Sequence, residues 1–232
     1  MKGLAEKPWR HLVSLFLAAA LVMGGAGMAL GASLGLFFAG LVVCTLLLPW
    51  VVAERERLAG QFLAIAMVTD AIALMWLVIT IADERITLLY WLKAYVLLLS
   101  LAGFQWSVVI AGRRLGLRGV LPAATSILMC ILWLASPTWL LHHLQTPALL
   151  PWMQRVINVE PLMAMNSAVP LGVWTESPLA YHLMNLNQDV YYTLPPGPWL
   201  SILLHVGGAA LLAGVTILSR RVLYWRCQIS LK

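Results

Sequence analysis

The feature of this sequence that most constrains its fold is an uncharged stretch that runs from His11 to Ala53. Crossing a bilayer once as a helix takes about 20 apolar residues, so this stretch of about 40 residues predicts two spans. We place them at residues 12–31 and 34–52, joined by a tight turn. Hydrophobic residues make up 62% of the 232-residue chain and charged residues only 10%, a balance that suits a chain solvated by a lipid bilayer.

Charged clusters divide the rest of the chain into further apolar runs. These clusters lie at residues 54–57, 83–85 and 113–118. The apolar runs predict spans at 59–82, 87–111, 120–141 and 199–218. We therefore predict an all-α integral membrane protein in which residues 1–232 form one transmembrane domain with six transmembrane helices.

Residues 142–198, between the fifth and sixth spans, are neither a span nor a soluble domain. From Pro147 to Pro161, apolar and polar residues alternate at roughly helical spacing, but the run is too short and too polar to cross a bilayer. With Leu162 to Val169 it predicts two short interfacial or re-entrant helices between spans five and six. We interpret 142–198 as an external cap. Its candidate contact residues are Trp152, Arg155, Asn158, Glu160 and Pro161.

The distribution of basic residues predicts the orientation. Twelve of the 15 Lys and Arg residues lie at the two termini and in the 54–57 and 113–118 loops, which a six-span topology puts on one side. By the positive-inside rule, both termini are cytoplasmic. The net charge of +6 does not indicate nucleic-acid binding, because the bases punctuate apolar runs instead of forming a solvated patch. We expect a multi-pass protein of the cell inner membrane.

The segment Leu150 to Leu162 reads LPWMQRVINVEPL, an aromatic and Gln-containing helix followed closely by Asn and Pro and then a second short helix. Together with six spans, cytoplasmic termini and the charged loop 54–57, this pattern resembles the permease subunit of type-two ABC exporters. The connection at 54–61 is shorter than that family's amphipathic coupling helix. The resemblance implies a membrane-embedded permease-like subunit of an ATP-driven ABC export complex.

The same resemblance implies two partners besides the lipid bilayer, namely a cytoplasmic ATPase subunit and a second permease subunit that is either identical or homologous. The sequence has no Gly-rich phosphate-binding motif with its Lys, so ATP hydrolysis belongs to another chain and this chain is not expected to be an enzyme by itself. The candidate docking residues are Glu54, Arg55, Glu56, Arg57, Arg113 and Arg114. The alternative, which the short 54–61 connection favours, is a non-transporting structural or assembly subunit that holds an extracytoplasmic protein through residues 142–198.

Asp70 is the most unusual residue, because it falls near the middle of the third predicted span. A carboxylate at that depth needs a partner or a proton. Lys93 on the next span lies roughly 7–8 Å higher by helical rise, within partial reach of its flexible side chain. Asp70 and Lys93 are therefore a candidate intramembrane pair. The pair either gates or contacts a substrate, or joins two helices structurally, or Asp70 stays neutral.

Three histidines, His142, His143 and His205, lie toward the predicted outer face. Together with nearby methionines they suggest a copper or haem site, but their spacing matches no recognised ligand motif. Methionines that line a membrane interface explain the composition more simply. We predict no cofactor and no metal.

Overall fold

The computed structural model describes residues 32–136, 150–169 and 195–229. Within these ranges all the regular structure is helical. We number the seven described helices in chain order. They are α1 (Ala32–Ala53), α2 (Leu58–Ala82), α3 (Leu88–Arg114), α4 (Leu121–Leu134), α5 (Leu150–Val159), α6 (Pro161–Ala168) and α7 (Trp199–Ile229).

Four of the described helices contain stretches that are long and apolar enough to cross a membrane. The four stretches are Gly35–Ala53, Leu58–Ala82, Leu88–Arg114 and Trp199–Leu218. They correspond to the second, third, fourth and sixth predicted spans. The all-α class is confirmed for the described residues, and the length and composition of these four helices support the membrane assignment. Helix α4, with 14 residues, covers only the first part of the predicted span 120–141. The predicted span 12–31 lies outside the described residues, and the count of six remains a prediction.

Helix α3 is the centre of the described bundle. It packs against α1, α2, α4, α6 and α7. Leu97, Leu98 and Leu101 of α3 are almost fully buried. Their spacing places them on the side of α3 that faces the other helices. The apolar stretches Leu58–Ala82 of α2 and Trp199–Leu218 of α7, by contrast, are only 28% and 17% buried, as expected of helices on the outside of a membrane bundle.

Trp76 of α2 fixes the contact between α1 and α2. Its ring stacks on Phe37 with 5.0 Å between centroids, and its indole N–H donates to the carbonyl of Leu36 over 3.2 Å. A Cβ at Gly40 would overlap with Cζ2 of Trp76. Only glycine leaves room for this ring, so the close approach of the two helices depends on Gly40.

Helices α5 and α6 are the two short helices that the sequence predicts after the fifth span. Helix α6 packs against α3 and α1, and α5 packs against α7. Ile157 of α5 and Met163 and Met165 of α6 are buried in the same core as the long helices. The pair is therefore built into the side of the bundle. Its depth in a membrane remains a prediction.

Candidate functional site

Asp70 lies near the middle of α2, and its side chain is exposed. It belongs to a row of exposed side chains at helical spacing that also contains Leu63, Met67, Leu74 and Val78. We call this row the outer face of α2. A carboxylate in the middle of an otherwise apolar face is costly in a bilayer. Asp70 is therefore the polar feature that most distinguishes the surface of the described bundle.

The hydrogen-bond partner of Asp70 is Tyr95 of α3, whose hydroxyl donates to Oδ1 of Asp70 over 2.7 Å. The ammonium group of Lys93 lies 5.7 Å from the centroid of the Tyr90 ring. The expected pairing of Asp70 with Lys93 therefore does not form, since each residue has a different partner. Residues two apart point to nearly opposite sides of a helix, so a Tyr95 that faces Asp70 directs Lys93 away from it.

Trp91 holds Tyr95 in place. The two rings stack with 5.5 Å between centroids and an interplanar angle of 15°. The indole N–H of Trp91 donates to the carbonyl of Ala73 on α2 over 2.8 Å. Because both aromatic residues of α3 are bonded to α2, the hydroxyl of Tyr95 meets Asp70 in a fixed geometry.

At one end of the bundle, Arg113 binds the turn between α1 and α2. Its guanidinium group donates to the carbonyl of Arg55 over 3.0 Å and to the carbonyl of Ala53. The carbonyl of Ala53 ends α1 and that of Arg55 lies in the turn just after it, where a cation is favoured by the helix dipole and by unsatisfied acceptors. Arg113 therefore has a structural role in addition to any contact with a partner.

Gln61 and Trp106 complete this arrangement, which we call the turn network. The side-chain amide of Gln61 donates to the carbonyl of Arg55 over 2.9 Å. The side-chain oxygen of Gln61 accepts from the indole N–H of Trp106 over 2.9 Å. Gln61 is almost fully buried and has both its donor and its acceptor satisfied. The turn network thus ties residues 54–57 to both α2 and α3.

The predicted docking residues gather around this turn. Five of them are exposed, and Arg113 is half-buried. Within the described ranges the only ion pair joins Arg85 to Asp83 in the α2–α3 connection. None of the five exposed docking residues therefore forms an ion pair with a described residue. The five are Glu54, Arg55, Glu56, Arg57 and Arg114.

The candidate residues of the cap fall into two groups. Trp152 and Arg155 are exposed on α5, and the guanidinium carbon of Arg155 lies 4.6 Å from the centroid of the Trp152 ring. Asn158 accepts a hydrogen bond from the side-chain amide of Gln154 over 2.9 Å. Pro161 is buried and forms the first turn of α6. The parts of the cap at 142–149 and 170–194 lie outside the described residues.

Glu160 is the most strongly perturbed residue of the cap. It is fully buried at the junction of α5 and α6, and its Oε2 accepts from the backbone N–H of Met163 over 2.7 Å, which caps α6. Its other carboxyl oxygen has no protein partner within the described residues. Burial raises the pKa of Glu160 to about 8, against the opposing effect of backbone N–H groups of Leu162 and Met163. Glu160 is therefore poised to change charge near neutral pH.

His205 of α7 is buried between aromatic rings. Its Nδ1 lies 3.0 Å from the hydroxyl of Ser100, and its ring centroid lies 5.0 Å from that of Trp133 and 6.1 Å from that of Phe104. Since the Ser100 hydroxyl donates to the carbonyl of Leu97, we assign the proton to Nδ1 of His205. No three His, Cys, Asp or Glu residues of the described ranges are arranged to hold a metal ion. His142 and His143 lie outside those ranges.

Sequence reasoning missed Tyr95, Gln61 and Trp106. Tyr95 could have been found, because Asp70 needs a donor and Tyr95 lies within one turn of the residue opposite it by helical rise. Gln61 gives a weaker signal, a buried amide four residues inside an apolar helix. Trp106 gives none, since a tryptophan in a span is unremarkable until its neighbours are known.

In comparisons with family models, curated proteins and solved structures, no family, protein or structure matches this chain. The functional inference therefore depends on the residues and their geometry.

Proposed function

We propose that this chain is the membrane-embedded, permease-like subunit of an ATP-driven ABC export complex whose ATPase is a separate chain. The observation that carries the proposal is the α5–α6 pair, which lies between the helix at 121–134 and the last apolar helix and packs into the bundle. This is the arrangement that the resemblance to type-two ABC exporters implies for the outer end of an export path.

The contacts of the short helices support this proposal. A short helix in a surface loop would contact the bundle through only a few apolar residues. Helix α6 is instead buried along most of its length, including Met163, Ala164, Met165 and Asn166. Glu160 begins α6 with a buried cap, and α5 reaches α7. A change in the packing of α3 against α7 would thus move the pair, which is what alternating access requires of such helices.

The turn between α1 and α2 is the proposed docking surface for the ATPase. The exposed arginines of the turn and of the adjoining end of α3, Arg57 and Arg114 among them, are able to form bidentate contacts with carboxylates of a partner. The turn network holds the backbone of residues 54–57 rigidly against α3. A rigid turn presents its side chains with little loss of entropy on docking, so it suits a surface that receives force from a partner.

The half of the outer face of α2 that contains Asp70, Leu74 and Val78 is the proposed contact with a second permease subunit, identical or homologous. Asp70 receives one hydrogen bond, from Tyr95, and a carboxylate accepts several. The predicted first span, 12–31, has no charged residue and only Ser14 as a hydroxyl donor, so it is poorly suited to complete the site. A polar side chain from another subunit would satisfy Asp70 at this depth.

One observation favours the alternative of a structural or assembly subunit. Helix α1 ends at Ala53 and α2 begins at Leu58, so the turn has no room for an amphipathic coupling helix. Under this alternative the exposed Trp152 and Arg155 of α5, with the rest of 142–198, hold an extracytoplasmic protein. The inner-membrane location and the cytoplasmic termini are common to both functions.

Purification in mild detergent, followed by identification of the accompanying chains, tests the two functions. We expect an ATPase to co-purify with the wild-type chain. Arg57→Glu and Arg114→Glu together should release it, because charge reversal repels carboxylates on the partner. Arg113 is left intact, since its guanidinium group stabilises the turn.

The matched control is Arg118→Glu, an exposed arginine of the α3–α4 connection that is not among the docking residues. It should retain the ATPase. Recovery of an extracytoplasmic protein without an ATPase would overturn the permease proposal in favour of the alternative. Equal loss of the ATPase in both variants would remove the turn as the docking surface.

A further inference from the structure

A groove opens on the surface between the end of α1 and the first half of α2. Its volume is about 80 Å³, and it begins at the turn that joins the two helices. One arginine lies at its mouth and the remaining lining is apolar or glycine. The lining residues are Val51, Arg55, Gly60, Leu63, Ala64, Met67 and Val68.

The mouth of the groove is shaped by Arg55 and Gly60. The aliphatic part of the Arg55 side chain lies over Gly60, with Cβ, Cδ and Cγ at 3.7–3.9 Å from the position that a Cβ of residue 60 would occupy. The stem therefore covers the start of α2 while the guanidinium group stays exposed. The side chain of Arg55 forms no ion pair with any of the described residues.

The charges around the mouth favour an anion. Glu54 and Glu56 offset Arg55 and Arg57 within the turn, but Arg113 and Arg114 at the end of α3 leave the neighbourhood positive by two charges. Arg113 is engaged with backbone carbonyls, so Arg55 is the arginine that lines the groove with its side chain free for a ligand.

The groove extends along α2 in the way that a bound phospholipid would lie. From Gly60 to Val68 the helix rises about 12 Å, so the groove starts at the end of a predicted membrane span and extends into its apolar part. Leu63 and Met67 are each more than half exposed along this path. An amphipathic ligand would place its polar group at Arg55 and its hydrocarbon on these two residues.

We propose that this groove binds an anionic phospholipid, with its phosphate on Arg55 and an acyl chain along Leu63 and Met67. A free phosphate would leave the apolar lining unused. The chain's own predicted span at 12–31 has no acidic residue with which to neutralise Arg55. Lipid binding here would fix the side chain of Arg55 within the turn between α1 and α2.

Native mass spectrometry of the detergent-purified protein tests the proposal, with phosphatidylglycerol and phosphatidylcholine as probes. Phosphatidylglycerol should bind more tightly than phosphatidylcholine, and Arg55→Gln should weaken it about five-fold, the effect of one basic residue near a membrane surface. Arg55→Gln keeps the backbone carbonyl that Arg113 and Gln61 use. Gly60→Leu fills the groove and should weaken the binding of both lipids. The variant should still fold, because a Cβ at residue 60 meets only ordinary van der Waals contacts.

Arg118→Gln is the matched control and should bind both lipids like the wild type, because Arg118 does not line the groove. A preference for phosphatidylglycerol that survives Arg55→Gln would overturn the proposal, as would wild-type binding by Gly60→Leu. A photoreactive residue in place of Met67 adds a second readout. A lipid adduct supports the proposal, and a cross-link to residues 12–31 of the same chain overturns it.

Discussion

Asp70 and Glu160 are two carboxylic acids in an apolar protein, and the structure treats them in opposite ways. Asp70 lies midway along a membrane-length helix and is exposed, with one hydrogen bond from Tyr95. Glu160 lies between two short helices and is completely buried, with one hydrogen bond from a backbone N–H. The acid in the span thus faces outward, and the acid in the predicted cap faces the core.

The difference separates two uses of a polar group. Glu160 has a local role, because its carboxyl group caps the start of α6 and is enclosed by the chain, with Oε1 lacking a hydrogen-bond partner among the described residues. Asp70 has one donor and an exposed side that a group outside the described bundle is able to reach. Position in a predicted span is therefore a poor guide to burial.

The largest expected effect concerns the proton on Glu160. In the folded chain its pKa is raised to about 8, while in the unfolded chain the acid titrates near its ordinary value of 4.5. Folding therefore takes up a proton between these values, and the free energy of unfolding should fall by up to roughly 5 kcal/mol as the pH rises from about 5 to about 8. Glu160→Gln should abolish this slope. Denaturant unfolding at several pH values measures it, and parallel curves for the two proteins would contradict it.

The next effect concerns the helix cap. Glu160→Ala removes the acceptor for the N–H of Met163, and should lower the free energy of unfolding at pH 6 by about 0.5–2 kcal/mol. Glu160→Gln, which retains a side-chain oxygen, is the control and should lose less. If the two variants lose equally, the cap is not what stabilises α6.

A smaller effect is expected at Tyr95. Tyr95→Phe leaves the ring stacked on Trp91 but removes the donor to Asp70, and should cost about 0.5–1.5 kcal/mol in thermal unfolding in detergent. Tyr90→Phe is the matched control, because Tyr90 lies under Lys93 and not beside Asp70. A larger loss for Tyr90 would show that the Asp70 contact is unimportant for stability.

The smallest expected effect is a coupling near zero. Because Asp70 and Lys93 have different partners, the losses in Asp70→Asn and Lys93→Met should add in the double variant to within about 0.5 kcal/mol. A double-mutant cycle on thermal stability measures the coupling. A coupling well above 1 kcal/mol would restore the ion pair that the sequence suggests.

The helices were predictable from the sequence because their positions follow from the length of uncharged apolar runs. The predicted spans 59–82 and 87–111 agree with α2 and α3 to within three residues. The prolines and the spacing of polar residues in the cap likewise predicted the two short helices α5 and α6. These features depend on local composition, which a single sequence contains.

The partners of individual side chains were not predictable, because they depend on how each helix is rotated about its axis. Helical rise places residue 98 opposite Asp70, and the structure places Tyr95 there, less than one turn away. That small offset decides whether Lys93 faces Asp70 or turns from it. Similarly, Arg113 was predicted to meet a partner, and much of its guanidinium group is used at the end of α1.

The turn network has a mechanical consequence. Arg113 and Trp106 belong to α3, Gln61 to α2, and the carbonyls of Ala53 and Arg55 to the end of α1 and the turn after it. A push on residues 54–57 is therefore shared at once among three helices instead of bending one of them. Since α3 also packs against α6 and α7, the displacement would be carried along a single stiff helix to the short helix α6 and to α7.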